Sequence, residues 1–225
     1  MFKLPGKERR SSLLLEILMI VVGINVALWF EGWFQDLQDA ELAEEYLADL
    51  RIDLQTDISV LQQVIEQAEA KSARTEKYIG LMPTLGELPP DEQAMAIYTP
   101  PNYQFFEPSD FTYRSMQESG DFRLLRDPDI KKGILRLDRR HRDIALLQKN
   151  FLQAMDDGYI PLMMRSFDIA NMRITDPSLL DDQLFQNFFV YTKQDTDAMI
   201  YAYRQALEQS ERLVALIDEV VGPAD

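Results

Sequence analysis

Cysteine is missing from the 225 residues, and histidine occurs once, at His141. Disulfide frameworks, thiolate metal sites and cysteine nucleophiles are thereby excluded. So is a zinc or di-iron centre built from several imidazoles of one chain. Basic charge is scarce: 23 Lys and Arg stand against 38 Asp and Glu, a net charge of −15. Phosphate binding needs a basic footprint, so no nucleic-acid partner is expected. Walker loops, dinucleotide fingerprints and Gly-x-Ser-x-Gly elbows are absent from the sequence,. Asp138-x-x-His141 has the spacing of half a metal site, without a second His to complete it,. The pairs Asp156-Asp157 and Asp181-Asp182 lack the ligand count of a calcium loop,. The sequence therefore predicts no enzyme activity, no metal and no cofactor. Strand-like alternation is nearly absent too, which leaves helices.

What is present is one long apolar run, Leu13 to Phe30, interrupted only by Glu16, Gly23 and Asn25. Its 18 residues cover roughly 27 Å as a helix, close to the ~30 Å hydrocarbon core of a bilayer. Glu16 lies near the start, where its carboxylate reaches the headgroups, so the usable span extends to about Phe34. Before it stand Lys3, Lys7, Arg9 and Arg10; after it, Glu31, Asp36, Asp39, Glu41, Glu44, Glu45 and Asp49 precede the first basic residue, Arg51. Basic flanks are retained on the cytoplasmic side. The expected layout is a short cytoplasmic N-terminus (1–12), a transmembrane helix (13–34) and an extracytoplasmic domain (35–225), which in a bacterium means the inner membrane and the periplasm. Trp29 and Trp33, the only two Trp, sit one turn apart at the outer end as interface anchors,. No small-x-small cleavage site follows the run, which favours a retained signal anchor over a cleaved peptide.

Beyond the span the sequence predicts an all-α bundle of about four long helices and some short ones. Apolar residues recur at Leu47, Leu50, Leu54, Ile58, Leu61, Ile65 and Ala68, with helical spacing, and no Pro or Gly breaks the run between Phe34 and Gly80. Gly80 through Pro108 is a break, holding Pro83, Gly86, Pro89, Pro90, Pro100, Pro101 and Pro108, with a short helix expected over Asp91 to Tyr98,. Ser109 or Asp110 is suited to cap a further short helix. Asp127-Pro128 opens a helix to about Asp157, bent or ended by Gly158 and Pro161,. Asp176-Pro177 opens another, over Ser178 to about Tyr191. The last, Asp195 to Val221, carries Met199, Tyr203, Ala206, Leu213, Ile217 and Val220 on one stripe.

Two regions are candidates for binding. Glu16, Gly23 and Ala27 fall along one stripe of the membrane helix, and Gly23-x-x-x-Ala27 is a small-x-x-x-small spacing that admits a second helix,. Asn25, near mid-bilayer on another face, is a polar group that usually finds a protein partner. A helix–helix contact with a second copy or another membrane protein is expected. The second region holds eight basic residues: Arg123, Arg126, Lys131, Lys132, Arg136, Arg139, Arg140 and Arg142. The favoured expectation is that it faces the acidic helix after the membrane, within the chain or across a dimer; the other is an anionic ligand, lipid headgroup or acidic partner. His141 shares an apolar stripe with Leu137 and Ile144, which predicts a packed, hydrogen-bonded imidazole.

The stretches EILMIVVGINVAL (Glu16 to Leu28) with EEYLADLRIDLQTDI (Glu44 to Ile58), and TYRSMQESGDFRLLRDPDIKKGIL (Thr112 to Leu135), are quoted from the sequence. Together they resemble a bacterial family of single-pass membrane proteins known as a domain of unknown function. Glu16, Gly23, Tyr46, Leu47, Leu50, Asp53, Leu54 and Asp57 match its pattern of a Glu opening the span, a central Gly and a Tyr-Leu…Leu…Asp-Leu…Asp motif. Trp29, Glu31 and Trp33 depart from its usual Gln, Asn and Trp. The resemblance implies one span, a helical extracytoplasmic domain and no catalytic residues. The expected function is an accessory or scaffold subunit of a membrane assembly. The alternative is a periplasmic small-ligand sensor signalling through a partner membrane protein.

Overall fold

The structure, a computed structural model, describes residues 7–222, with side chains from Glu16 onward. The basic flank of Lys3, Lys7, Arg9 and Arg10 lies outside the described side chains. The fold is all-α. Three long helices carry it: α1 (Lys7–Leu81), α4 (Pro128–Ala154) and α6 (Gln183–Val221). Short helices α2 (Pro90–Tyr98), α3 (Phe111–Ser119) and α5 (Ile160–Ser166) fill the connections, with a two-residue hairpin of β1 (Phe167–Asp168) and β2 (Arg173–Ile174).

The spacing of buried residues explains why these three helices associate. On α1 they fall at Ala43, Leu47, Leu50, Leu54, Asp57, Leu61 and Val64, alternating steps of four and three. On α6 the same rhythm runs through Thr192, Thr196, Met199, Tyr203, Ala206, Ser210, Leu213 and Ile217. A repeat of 3.5 keeps one seam facing its partner over many turns, as in coiled coils. The two helices are antiparallel: Arg51 pairs with Asp218 at 3.2 Å, Glu69 with Arg204 at 2.5 Å and Glu76 with Lys193 at 3.5 Å. α4 adds Ile130, Ile134, Leu137, Ile144 and Phe151 from its own stripe. It approaches α6 so closely that a Cβ on Gly133 would stand 2.5 Å from the Leu213 Cδ2. Burying each Leu or Ile of these seams contributes about 1.5–3 kcal/mol.

The chain returns from the far end of α1 as an extended strap, residues 99–110. Gln148 of α4 holds it: the Phe106 N–H donates to its Oε1 at 3.0 Å, and its Nε2 donates to the Phe106 carbonyl at 3.1 Å. The Tyr203 hydroxyl donates to the same Oε1 at 2.9 Å. The strap brings α3 back to the start of the seam, where Tyr46 donates to Asp121 at 3.0 Å. Near Gly158 the long helix neither bends sharply nor stops. It widens into one π turn, Met155–Tyr159, and continues as α5. The Phe188 ring occupies the place that a Gly158 side chain would need.

Three expectations need correction. There are three long helices rather than four, because α6 runs unbroken through Tyr191 to Asp195. That stretch has neither Pro nor Gly, Thr192 and Thr196 are buried in the seam, and Lys193 is held by Asp197 at 2.5 Å. Asp176 caps only the single 3-10 turn Pro177–Asp181, whereas Asp182 caps α6 through the Leu184 and Phe185 amides. Second, the buried stripe of α1 passes through Asp57 and leaves Ile58 half-buried, and Val220 of α6 is exposed. Third, neither Ser109 nor Asp110 caps α3 through its side chain. Asp127, by contrast, caps α4 as expected, accepting from the Asp129 and Ile130 amides.

Candidate functional site

Among the described residues, one helix is long and apolar enough to cross a membrane, and none of its apolar window is buried. Every side chain from Glu16 to Gln38 is exposed, and the first buried one is Ala43. α1 continues through Gly32 without a break. Around Gly23 no atom of another element lies within 4 Å of where a Cβ would stand, so the Gly23–Ala27 stripe is uncovered in the single chain. Trp29 and Trp33 are both exposed, and the Trp29 ring meets Phe30 edge-on at 5.3 Å. Asn25 makes one hydrogen bond within its own helix. Its Nδ2 donates to the Val21 carbonyl one turn back at 2.7 Å, so the helix itself satisfies part of the amide.

Among the described residues of the single chain, the basic segment makes no ion pair with α1. Its ion pairs are local: Lys132 with Asp129 at 3.8 Å and Arg142 with Asp138 at 2.5 Å. Lys131 donates to the Arg123 carbonyl at 3.2 Å. Among the described residues, Arg123, Arg126, Arg136, Arg139 and Arg140 have no carboxylate within 4 Å. The acidic helix instead uses α6, through Glu69–Arg204 and Glu76–Lys193. The reason is the period of α4. Ile130, Ile134, Leu137 and Ile144 turn inward, so the Lys and Arg between them point out. The structure places Arg126 beside Ala40, Glu44 and Leu47, at the end of the bundle nearest the bare stretch of α1.

His141 lines a cleft of about 220 Å3 with Leu54, Leu137, Asp53, Asp57 and Asp138. Asp57 Oδ1 accepts the Ser109 N–H at 2.7 Å and Asp53 Oδ2 accepts the Thr112 N–H at 3.1 Å. Asp53 thus does the capping that α3 lacks on its own, and Asp57, one turn further along α1, holds the strap just before the α3 N-cap,. Burial pushes Asp57 up to about 6, against the pull of its Ser109 hydrogen bond. Burial likewise pushes His141 down to about 4, with Asp138 and Asp110 acting the other way. The imidazole packs on Phe106 at 5.4 Å, and its Nε2 is buried without a hydrogen-bond partner. It is packed as expected, and that nitrogen is unsatisfied.

Sequence reasoning missed Asp53 as a cap, and Asp57 and Gln148 as clamps of the strap. For Asp57 and Gln148 the signal was available: each is a polar residue at an inward position of an otherwise apolar stripe. Among the described residues, no group of three or more His, Asp or Glu is placed to hold a metal ion. No family model matches the chain, and neither a curated protein nor a solved structure matches it.

Proposed function

We propose that this chain is a non-enzymatic single-pass membrane protein of the bacterial inner membrane. Residues 13–34 anchor it with the N-terminus in the cytoplasm. Residues 35–225 form a periplasmic helical domain that serves as an accessory or scaffold subunit of a membrane assembly. One observation carries this reading: the apolar, uncovered stretch from Glu16 to Phe34 belongs to the same unbroken helix as the buried seam that begins at Ala43. A rise of about 1.5 Å per residue puts the first buried side chain roughly 14 Å beyond Phe34, clear of the hydrocarbon. A continuous helix also couples any displacement of the span to the α1–α6 seam. The resemblance to an uncharacterised single-pass family supports the same layout, and the uncovered Gly23–Ala27 stripe suits a close helix neighbour.

The experiment is gentle extraction from membranes, with the native mass measured and copurifying chains identified. The reading expects a mass above that of one chain, and a loss of association in Gly23→Leu. A bare monomer, or a complex whose mass Gly23→Leu leaves unchanged, contradicts it.

A further inference from the structure

The far half of the bundle encloses a second cavity of about 220 Å3, between α1, α4, α6 and the strap. Its charged lining is entirely basic. Lys71 and Arg74 of α1 face it, and no carboxylate lines it, in a chain with 38 acidic residues. The Lys71 ammonium has no carboxylate within 4 Å among the described residues. Its Nζ donates to the Pro100 carbonyl at 2.9 Å and stands 4.5 Å from the centre of the Phe151 ring and 5.8 Å from that of Tyr103. A carbonyl and ring faces solvate an ammonium only in part, and the one carboxylate that acts on it, Asp195 of α6, does so from beyond 4 Å,. The same cavity is lined by Gln67, whose Oε1 is buried without a donor. A cation without a contacting carboxylate and an unmet acceptor are thus presented to one space, and each gains when a complementary group arrives.

Size and lining narrow the class of that group. A cavity of about 150 Å3 is enough for benzene, so this one has room for a single ring with a carboxylate and one further substituent. Phe151, Met199 and Tyr103 supply apolar surface beside Lys71. We propose that this cavity binds a small monocyclic carboxylate bearing a hydroxyl or amino group, with the carboxylate on Lys71 and Arg74 and the donor on Gln67. The proposal does not depend on the membrane reading, since every residue in it belongs to the bundle.

Protonation supplies a readout that packing alone does not move. Burial holds Lys71 down to about 7, with Asp195 pulling it upward. The other titratable or charged groups around it are few. Arg74 lies on α1 itself, α4 contributes the uncharged Phe151, and Tyr103 comes from the strap. On α6, burial pushes Tyr203 up to about 12, Tyr191 upward and Asp195 up to about 6. Between pH 7.5 and 8.5 Lys71 is therefore the group that changes. A bound carboxylate favours its charged form, so binding takes up a proton.

The test is calorimetric titration of the full chain in detergent micelles with 4-hydroxybenzoate, 4-aminobenzoate and benzoate. Benzyl alcohol and inorganic phosphate serve as controls. One site per chain is expected for the first two acids, with benzyl alcohol at least tenfold weaker. At pH 8, two buffers of different ionisation enthalpy should reveal uptake of close to one proton per ligand, falling toward zero at pH 6. Lys71→Met should abolish both binding and uptake. Arg74→Gln, at an exposed position, should weaken binding about fivefold with an unchanged melting temperature. Three results each overturn the proposal: no binding of any aromatic acid at millimolar concentration, binding unaltered in Lys71→Met, or binding of phosphate alone. Binding without proton uptake at pH 8 would also overturn it, because the carboxylate would then not be on Lys71.

Discussion

The two halves of α1 share one backbone and almost nothing else. From Glu16 to Gln38 the apolar side chains point in every direction and are all exposed; from Ala43 to Tyr78 most of the large ones face one seam and are buried, with Ile52 exposed and Ile58 half-buried. The first half is apolar all round, which suits a surrounding solvent that is itself apolar. The second is apolar on one stripe, which suits water on one side and a partner helix on the other. The comparison teaches that hydrophobicity alone does not locate a core: Ile20 and Leu61 lie in the same helix, yet only Leu61 is held by the fold.

The strongest way to break the comparison is to truncate both residues. Leu61→Ala should destabilise the bundle by about 2–5 kcal/mol in denaturant unfolding, through lost burial and the cavity left behind. Ile20→Ala should change bundle stability by less than about 0.5 kcal/mol. Equal effects would mean that the bare stretch packs against the bundle after all. The strap offers the next largest effect. Gln148→Ala leaves the Phe106 N–H and carbonyl without their partner, at about 1–3 kcal/mol. Limited proteolysis within residues 99–110 should accelerate, whereas cleavage near the bare stretch should not.

Acidity sharpens the same contrast, because the shifted groups all sit in the bundle half. His141 has a folded-state pKa of about 4, below its ordinary 6.5. Its contribution is complete above about 6.5 and is lost as pH falls toward 4. Asp57 runs oppositely: its folded-state pKa of about 6 lies above 3.8. Its contribution is full below about 4 and is lost as pH rises through 6, with Asp195 acting in the same direction. Melting curves from pH 4 to 7 should therefore show His141→Gln removing a loss on the acid side. Asp57→Asn should remove a loss, of about 1–2 kcal/mol, on the neutral side. The smallest effect belongs to the outer face of α4. Reversal of Arg139 and Arg140 to Glu should alter bundle stability by less than about 0.5 kcal/mol at low salt, since neither has a carboxylate partner among the described residues,. A larger loss would restore the pairing with α1 expected from charge alone.

Much of the fold was legible because helix period, Pro and Asp caps act locally. The opening of α4 at Asp127-Pro128 and the long unbroken α1 follow directly from such signals. The merging of two expected helices into α6 was not legible. Asp176-Pro177 is a good local start signal, and the decision against it is made by the seam, where Thr192 and Thr196 are buried across from α1. The basic segment misled for a related reason. Opposite charge in two stretches says nothing about which faces of their helices meet, and here α4 turns its apolar face inward. The Asp53 cap, the Asp57 and Gln148 clamps and the Lys71 cavity all join residues distant in sequence, which no local pattern encodes. The Gly23–Ala27 stripe was legible as a pattern, and its uncovered state in the single chain agrees with a role outside the bundle.

The absence of cysteine makes the central claim directly measurable, since one introduced thiol is the only one present. Ser11→Cys and Gln117→Cys flank the apolar stretch, and both variants can be treated with a membrane-impermeant maleimide in sealed vesicles of known orientation. The account predicts that Gln117→Cys is labelled only from the periplasmic face and Ser11→Cys only from the cytoplasmic face. Labelling of both from one face, or release of the chain from the vesicles by alkaline carbonate, would contradict a helix that crosses the membrane and continues into the bundle.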